Sequence, residues 1–273
     1  MPLFEVNRDK CNKDGICAAE CPLKIIDMKA TGWPVPIPGA DALCINCGHC
    51  VAVCPTGALS HRLLKPEACL PVNRQWLLSP EQAEHFLRYR RSIRNYKKQP
   101  VDRAVIERLI RVARCAPTGH NRQPVKWQVI YRAEDVRRLS GLVIEWMRFM
   151  VEKHPRLAGA MHLDLVVAAW EFGVDTVSRG APHLVLANAD VSDISAQSAC
   201  TIAMTYFDLA AAAFGLGTCW NGFFNAAAMQ WQPLKDALGL TAGEANFGAM
   251  MLGYPKFTYH RMPDRKEPEI KWT

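Results

Sequence analysis

The stretch Cys44-Ile45-Asn46-Cys47-Gly48-His49-Cys50-Val51-Ala52-Val53-Cys54-Pro55 places four cysteines within eleven residues, spaced C-x2-C-x2-C-x3-C-P. Gaps of two residues bend the chain tightly enough for three sulfurs to share one iron–sulfur cubane. The fourth sulfur, after a wider gap, points to a second cubane. Pro55 ends the ligand loop, because its ring cannot continue the local turn. Zinc is the competing reading. Zinc ribbons, however, use two C-x2-C pairs set well apart, not four thiols in one run with a trailing proline.

A partial copy lies upstream: Cys11-Asn12-Lys13-Asp14-Gly15-Ile16-Cys17-Ala18-Ala19-Glu20-Cys21-Pro22, which reads C-x2-D-x2-C-x3-C-P. An internal duplication of this kind marks a pseudo-symmetric fold with two clusters. Together the two runs resemble the bacterial two-cluster ferredoxins. The resemblance implies that the last cysteine of each run serves the other cluster. Cys44, Cys47, Cys50 and Cys21 would then hold one 4Fe–4S cluster. Cys11, Cys17 and Cys54 would hold the other, with Asp14 as its fourth ligand or off the metal. A carboxylate is a harder and weaker ligand for iron than a thiolate, so this corner is expected to be labile and the cluster to be 4Fe–4S or 3Fe–4S. Asp14 can also be read as opening the turn before Gly15; its register with Cys47 favours the ligand role.

The 273 residues are 49% hydrophobic, enough for a sizeable core in one large domain or two modest ones. No apolar run is long enough to span a membrane, and Met1-Pro2-Leu3-Phe4-Glu5-Val6 does not read as a signal peptide. Eleven cysteines, seven of them clustered at ligand spacing, without such a signal suggest a reducing cytoplasm and metal binding rather than disulfides. The net charge of +7 suits an acidic electron-transfer partner or an anionic cofactor as well as it suits nucleic acid.

Between the cysteine runs, Ala30 to Gly39 is a proline-studded connector, and Ala58-Leu59 begins a closing strand. His49 and His61 read as surface or packing residues beside a complete thiolate set. Lys65 to Pro71 has two prolines and no periodicity. The expected division is a two-cluster domain over 1–65, a linker over 66–78 and a larger domain over 79–273.

In the larger domain, Ser79-Pro80-Glu81-Gln82 is a helix start, with Ser79 as N-cap and Pro80 at the first helical position. Asp102 caps a second helix, whose residues Val105, Ile106, Leu109, Ile110 and Ala113 form one apolar face. Strands are expected at Lys126–Tyr131, His183–Asn188 and Phe247–Leu252. The basic run Arg90-Arg91-Ser92-Ile93-Arg94 fits a solvated face, a nucleic-acid patch or a phosphate clamp of planar guanidiniums. Cys69, Cys115, Cys200 and Cys219 lack ligand spacing and read as small hydrophobes.

The company this run keeps decides between those readings. Arg-Arg-Ser-x-Arg is followed by an amphipathic helix and Ala116-Pro117-Thr118-Gly119-His120-Asn121-Arg122-Gln123-Pro124. Then come Ala181-Pro182, the run Gly215-Leu216-Gly217-Thr218-Cys219-Trp220-Asn221-Gly222-Phe223, and Leu252-Gly253-Tyr254-Pro255 with Arg261-Met262-Pro263. In this order the motifs closely resemble the FMN-dependent nitroreductase family, from residue 79 to 273. The fold implied is α+β: a ferredoxin-like two-cluster domain followed by a sandwich with an antiparallel-rich central sheet flanked by helices. The resemblance implies that Arg90, Arg91, Ser92 and Arg94 contact the FMN phosphate and ribityl chain, joined by Arg261. Thr118 and Asn121 would meet the flavin, and Ser198 would reach the isoalloxazine. Gly222 would present its backbone N–H to flavin N5, where the absence of a side chain allows close approach. Asn221 stands beside it in place of the acid some members carry, and Tyr259 replaces a basic residue. The family implies an intimate homodimer with FMN in the interface and the Pro255–Thr273 tail embracing the partner.

The function these readings imply is an oxidoreductase in which an external low-potential donor, a ferredoxin or a reductase, feeds the clusters. FMN passes the electrons to a small organic acceptor of nitroaromatic, quinone or enone type. Two alternatives stand beside it: an NAD(P)H-dependent nitroreductase with accessory clusters, and a non-catalytic carrier or redox sensor. Neither nucleic acid nor a membrane is an expected partner. Replacing the weak ligand tests the N-terminal site: Asp14→Cys should slow oxygen-dependent iron loss, followed by electron spin resonance.

Overall fold

The computed structural model describes residues 2–273. It divides into a first unit that ends at Leu77 and includes His120–Arg122, and a second built from Leu78–Gly119 and Gln123–Thr273. The proline-rich stretch after residue 65 carries two 3-10 turns, Pro66–Ala68 and Arg74–Trp76, and groups with the first unit.

The first unit is assembled from very short pieces: β1 (Phe4–Val6), α1 (Ile16–Glu20), β2 (Ile26–Asp27), β3 (Val35–Pro36), α2 (Ala40–Leu43), α3 (His49–Ala52) and β4 (Leu59–His61). β1 pairs antiparallel with β4, and β2 with β3. The sequence duplication is visible in the backbone. Lys13 and Asn46, at equivalent places in the two cysteine runs, have φ of 59° and 53°. Gly15 and Gly48, one position after Asp14 and Cys47, have φ of 74° and 73° and start α1 and α3. Gly48 is doubly required. A Cβ there would be strained at this φ and would also fall 2.7 Å from Leu64 Cδ2. The core between these turns is small and built from Leu3, Phe4, Ile25, Ile26, Val51 and Leu59, with Cys17 and Cys21 among them.

In the second unit a chain of helices surrounds one sheet. The elements are α4 (Pro80–Tyr89), α5 (Arg103–Ala113), β5 (Lys126–Ile130), α6 (Ala133–Lys153), α7 (Pro155–Ala160), α8 (Leu163–Glu171), β6 (His183–Asp190), α9 (Ala196–Ala213), β7 (Gly217–Trp220), α10 (Gly222–Gln230), α11 (Gln232–Leu238) and β8 (Glu244–Gly253). The sheet order is β5-β6-β8-β7 and every pairing is antiparallel. The expected antiparallel-rich sandwich is therefore the observed one.

Both helix starts form as read. Ser79 Oγ accepts from Gln82 N at 3.2 Å while Gln82 Oε1 accepts from Ser79 N at 3.0 Å, a reciprocal capping box. Asp102 Oδ1 accepts from Ala104 N at 2.7 Å. On the apolar face of α5, Ile106, Leu109 and Ala113 are buried, and Val105 and Ile110 are partly so.

β6 and β8 read as nearly continuous apolar runs because both sheet faces are covered. Successive side chains of a strand point to opposite faces. Leu184, Leu186, Ala249 and Met251 accordingly join a core with α6, α8, α10 and α11. Val185, Ala187, Ala189, Met250 and Leu252 join the other core, with α5 and α9. Trp146, Met147 and Met150 on α6 are core residues, whereas Phe172 is 87% exposed. Cys200 and Cys219 are buried as read; Cys69 is half-buried and Cys115 exposed. No helix among the described residues is long and apolar enough to cross a membrane.

α4 stops at Tyr89, and the basic run continues in extended form. Ser92 bridges Thr218 of β7, and Ile93 N donates to Thr218 O at 2.8 Å. The fit is tight, since a Cβ on Gly217 would lie 2.5 Å from Ile93 Cγ1. Beyond β8 the tail from Phe257 to Thr273 has no regular structure and is exposed throughout. Truncating the largest buried side chain of α9, Phe207→Ala, should cost about 3–5 kcal/mol. Chemical denaturation of the second unit checks this.

Candidate functional site: two thiol-lined cavities and a basic pocket

Two cavities in the first unit separate the expected metal ligands without mixing them. Cys21, Cys44, Cys47 and Cys50 line one, among apolar side chains and His61. Cys11, Asp14, Cys17 and Cys54 line the other. Tight turns bring the local cysteines together, and packing of α1 against α3 crosses Cys21 and Cys54 into the opposite sets. Among the described residues no three side chains converge on a point for a single ion.

The sulfurs sit in contrasting surroundings. Burial pushes the Cys50 thiol up to about 11, with further upward pressure from Cys47, Cys21 and Cys44. Burial also raises Cys17. Thiols crowded in this way become thiolates only with a cation among them, as iron would supply. Cys54 differs. Burial pushes it upward, but hydrogen bonds from the Thr56 hydroxyl and from Ala58 and other backbone N–H groups outweigh this and lower it. Ala58 N donates to Cys54 Sγ at 3.3 Å, and Thr56 Oγ1 lies 3.6 Å away. Asp14 Oδ1 accepts from Ile16 N at 3.0 Å, which serves the turn and leaves the second carboxylate oxygen for the cavity. The donor set of both cavities fits iron–sulfur clusters. Of the two histidines, His49 is exposed, while His61 is 4% exposed and reaches Cys44.

In the second unit, Arg90, Arg91, Lys97, Thr218, Tyr254 and Tyr259 line a pocket of about 250 Å³. Arg91 Nε is buried with no hydrogen-bond partner, although another guanidinium nitrogen donates to Arg90 O at 2.8 Å. An orphaned cationic donor at a basic pocket fits an anion such as a phosphate. Arg90 lies 3.3 Å from the buried carboxylate of Asp208, which Thr218 also hydrogen-bonds. Burial raises the Asp208 carboxyl; the Thr218 hydroxyl and Arg90 lower it, and burial prevails.

The other expected flavin contacts do not line this pocket. Arg94 is exposed and donates to Ser92 O at 3.2 Å. Thr118 Oγ1 accepts from Gln123 N at 3.1 Å. Asn121 Nδ2 donates to Ile45 O at 3.3 Å and Asn46 O at 3.0 Å, beside the second cysteine run. Ser198 is exposed and donates to Ser195 O at 3.0 Å. Arg261 lies in the exposed tail.

Gly222 opens α10, is exposed, and has free space where a Cβ would stand. The neighbouring Asn221 is 2% exposed and fully engaged. Its Oδ1 caps α10 by accepting from Phe224 N at 3.2 Å. Its Nδ2 donates to Ser178 Oγ at 3.1 Å. Ser140 gives its proton to Val136 O at 2.9 Å, so in the 2.7 Å contact between the two hydroxyls Ser178 is the donor. The result is a one-way chain, Asn221 to Ser178 to Ser140 to Val136, that fixes which way the Asn221 amide faces.

Sequence reading missed Asp208, His61 and Ser178. Asp208 had a usable signal, being the only charged residue in α9. Ser178 and His61 had none, since their partners are distant in sequence.

Comparison with known proteins agrees with this architecture. Residues 87–254 match the family model described as "Nitroreductase family", and residues 10–59 match the "4Fe-4S dicluster domain" model. The chain therefore belongs to the nitroreductase family, with an N-terminal dicluster domain. It is 25% identical over 195 residues to an Archaeoglobus fulgidus protein provisionally named an NADH dehydrogenase/NAD(P)H nitroreductase, covering 69% of this chain and 95% of that one. A Bacteroides fragilis nitroreductase solved with bound FMN superposes with a TM-score of 0.58 at 17% identity, covering 70% of this chain and 98% of its own. A Desulfitobacterium hafniense nitroreductase, also with bound FMN, gives 0.55 at 20% identity, covering 71% and 100%.

The Asp208 environment has a pH signature. A carboxyl whose pKa is raised on folding contributes stability that is full below its unfolded value and is lost as pH rises through the folded value. Asp208→Asn should therefore gain stability relative to the native protein as pH rises above about 4, measured by denaturation at each pH.

Proposed function

We propose that the protein is an FMN-dependent oxidoreductase that receives electrons through two N-terminal iron–sulfur clusters and delivers them to a small organic acceptor. The observation that carries this reading is the partition of the eight expected ligands into two cavities. Each cavity takes three ligands from one run and the last cysteine of the other. Clusters supply one-electron transfer and FMN converts it to two-electron chemistry. The protein's own residues bind and orient. Cys21, Cys44, Cys47 and Cys50 would hold a 4Fe–4S cluster; Cys11, Cys17 and Cys54 with Asp14 would hold the second, as 4Fe–4S or 3Fe–4S.

Arg91, with its unpartnered Nε, and Arg90, braced by Asp208, are the residues assigned to the FMN phosphate, with Ser92 beside them and Arg94 and Arg261 completing the charge. Gly222 presents its backbone N–H toward the flavin. Asn221 acts through Gly222: by capping α10 it aims the free N–H groups of the first turn. Thr118, Asn121 and Ser198 lie outside the pocket of a single chain, which is in keeping with a site completed by a second copy. The exposed tail, with Phe257 at 61%, Ile270 at 62% and Trp272 at 89% exposure, is assigned to that partner.

The Archaeoglobus relative's name supports a second reading, direct reduction of the flavin by NAD(P)H. Anaerobic purification with iron, sulfide and flavin counts tests the first reading. The expected result is two clusters and one FMN per chain, with reduced protein turning over a nitroaromatic, quinone or enone. Rapid flavin bleaching by NAD(P)H in a Cys17→Ser, Asp14→Ala variant lacking the second cluster would favour the second. A colourless protein overturns both. Arg91→Gln should raise the FMN dissociation constant by at least about tenfold, measured by fluorescence of released flavin.

A further inference from the structure

The cavity around Cys21, Cys44, Cys47 and Cys50 is lined by apolar side chains apart from its sulfurs, with one exception. His61, at the end of β4, enters its wall with its imidazole. The ring's hydrogen bonding fixes the tautomer. Leu63 N donates to His61 Nδ1 at 3.2 Å, so Nδ1 is an acceptor and in the neutral ring the proton sits on Nε2. Nε2 lies 3.6 Å from Cys44 Sγ. The ring is 4% exposed, and β4 pairs with β1 at Phe4, which holds the His61 backbone beside the cavity.

We propose that His61 is a positioning residue for the redox centre: its Nε2–H donates to the Cys44 sulfur and raises the reduction potential of the cluster held there. This rests on the cluster reading above. A hydrogen bond to a ligating sulfur stabilises the additional negative charge of the reduced form more than it stabilises the oxidised form. In an apolar cavity that preference is little screened. The Cys11, Asp14, Cys17 and Cys54 cavity has no histidine; there the donors to sulfur are Ala58 N–H and the Thr56 hydroxyl, on Cys54. The donor on Cys44 therefore acts on one centre alone and biases where an incoming electron resides.

The test is potentiometric titration of the full-length protein, purified anaerobically and followed by electron spin resonance. Native protein is compared with His61→Leu, His61→Phe and His61→Gln, and Asp14→Cys, which alters the other signal, assigns the two centres. At the native midpoint, His61→Leu and His61→Phe should lower the reduced-to-oxidised ratio of the Cys44 centre by about tenfold, a shift of about 59 mV for one electron. His61→Gln, which keeps an N–H near the Nε2 position, should restore most of that ratio, and the second centre should not move. An unchanged midpoint in both apolar variants overturns the proposal, as does a Gln variant that shifts as far as Leu. Fewer than two clusters in the native protein instead overturns the cluster reading itself, so the two failures are distinguishable.

Discussion

The constraint on which the first unit depends is the gathering of eight expected ligand side chains around two small cavities by a chain with almost no regular structure. Its strands are two or three residues long and its helices four or five. A core resting on Leu3, Phe4, Ile25, Ile26, Val51 and Leu59 is small for a unit that ends at Leu77. Small domains of this kind usually need a covalent or metal staple. On the proposed ligand assignment, the crossing of Cys21 and Cys54 would do that work. Each cluster would tie together segments that the backbone alone holds only through short turns, so metal binding would be coupled to folding.

The second unit solves a different problem. Its sheet has apolar residues on both faces, and separate helical layers cover each, so β6 and β8 need no polar alternation. Into this rigid frame the basic run is pinned by backbone pairing with β7 and by the absence of a side chain at Gly217. Guanidiniums carry long, flexible stems, and anchoring their backbone this firmly reduces the entropy lost on gripping an anion. Asp208 complements the device: a carboxylate inside an otherwise uncharged helix braces Arg90 from behind.

Local chemistry was legible in the sequence and remote chemistry was not. The cysteine runs, the Ser79 capping box and the Asp102 cap depend on neighbours within a few residues, and they could be read from spacing. Strands β6 and β8 showed through because apolar runs persist for several residues. β1 and β7, three and four residues long, have too few positions to express a period. His61 was read as surface or packing. Its partner Cys44 lies on a different element, and nothing in Leu59-Ser60-His61 announces a sulfur. Ser178 is silent for the same reason, since its partners come from α6 and from the residue that starts α10. Arg94, Thr118, Asn121, Ser198 and Arg261 carry a family pattern, but a single chain does not gather them into one pocket.

The amide of Asn221 has a consequence for where protons travel. Along the path from Asn221 through Ser178 and Ser140 to the Val136 carbonyl, every hydrogen is already committed in one direction, and no group is an acid or base at ordinary pH. A carboxyl at that position could collect a proton from solvent and surrender it. This amide can do neither. Asn221 therefore holds the start of α10 in place without offering hydrogen ions a relay along this path.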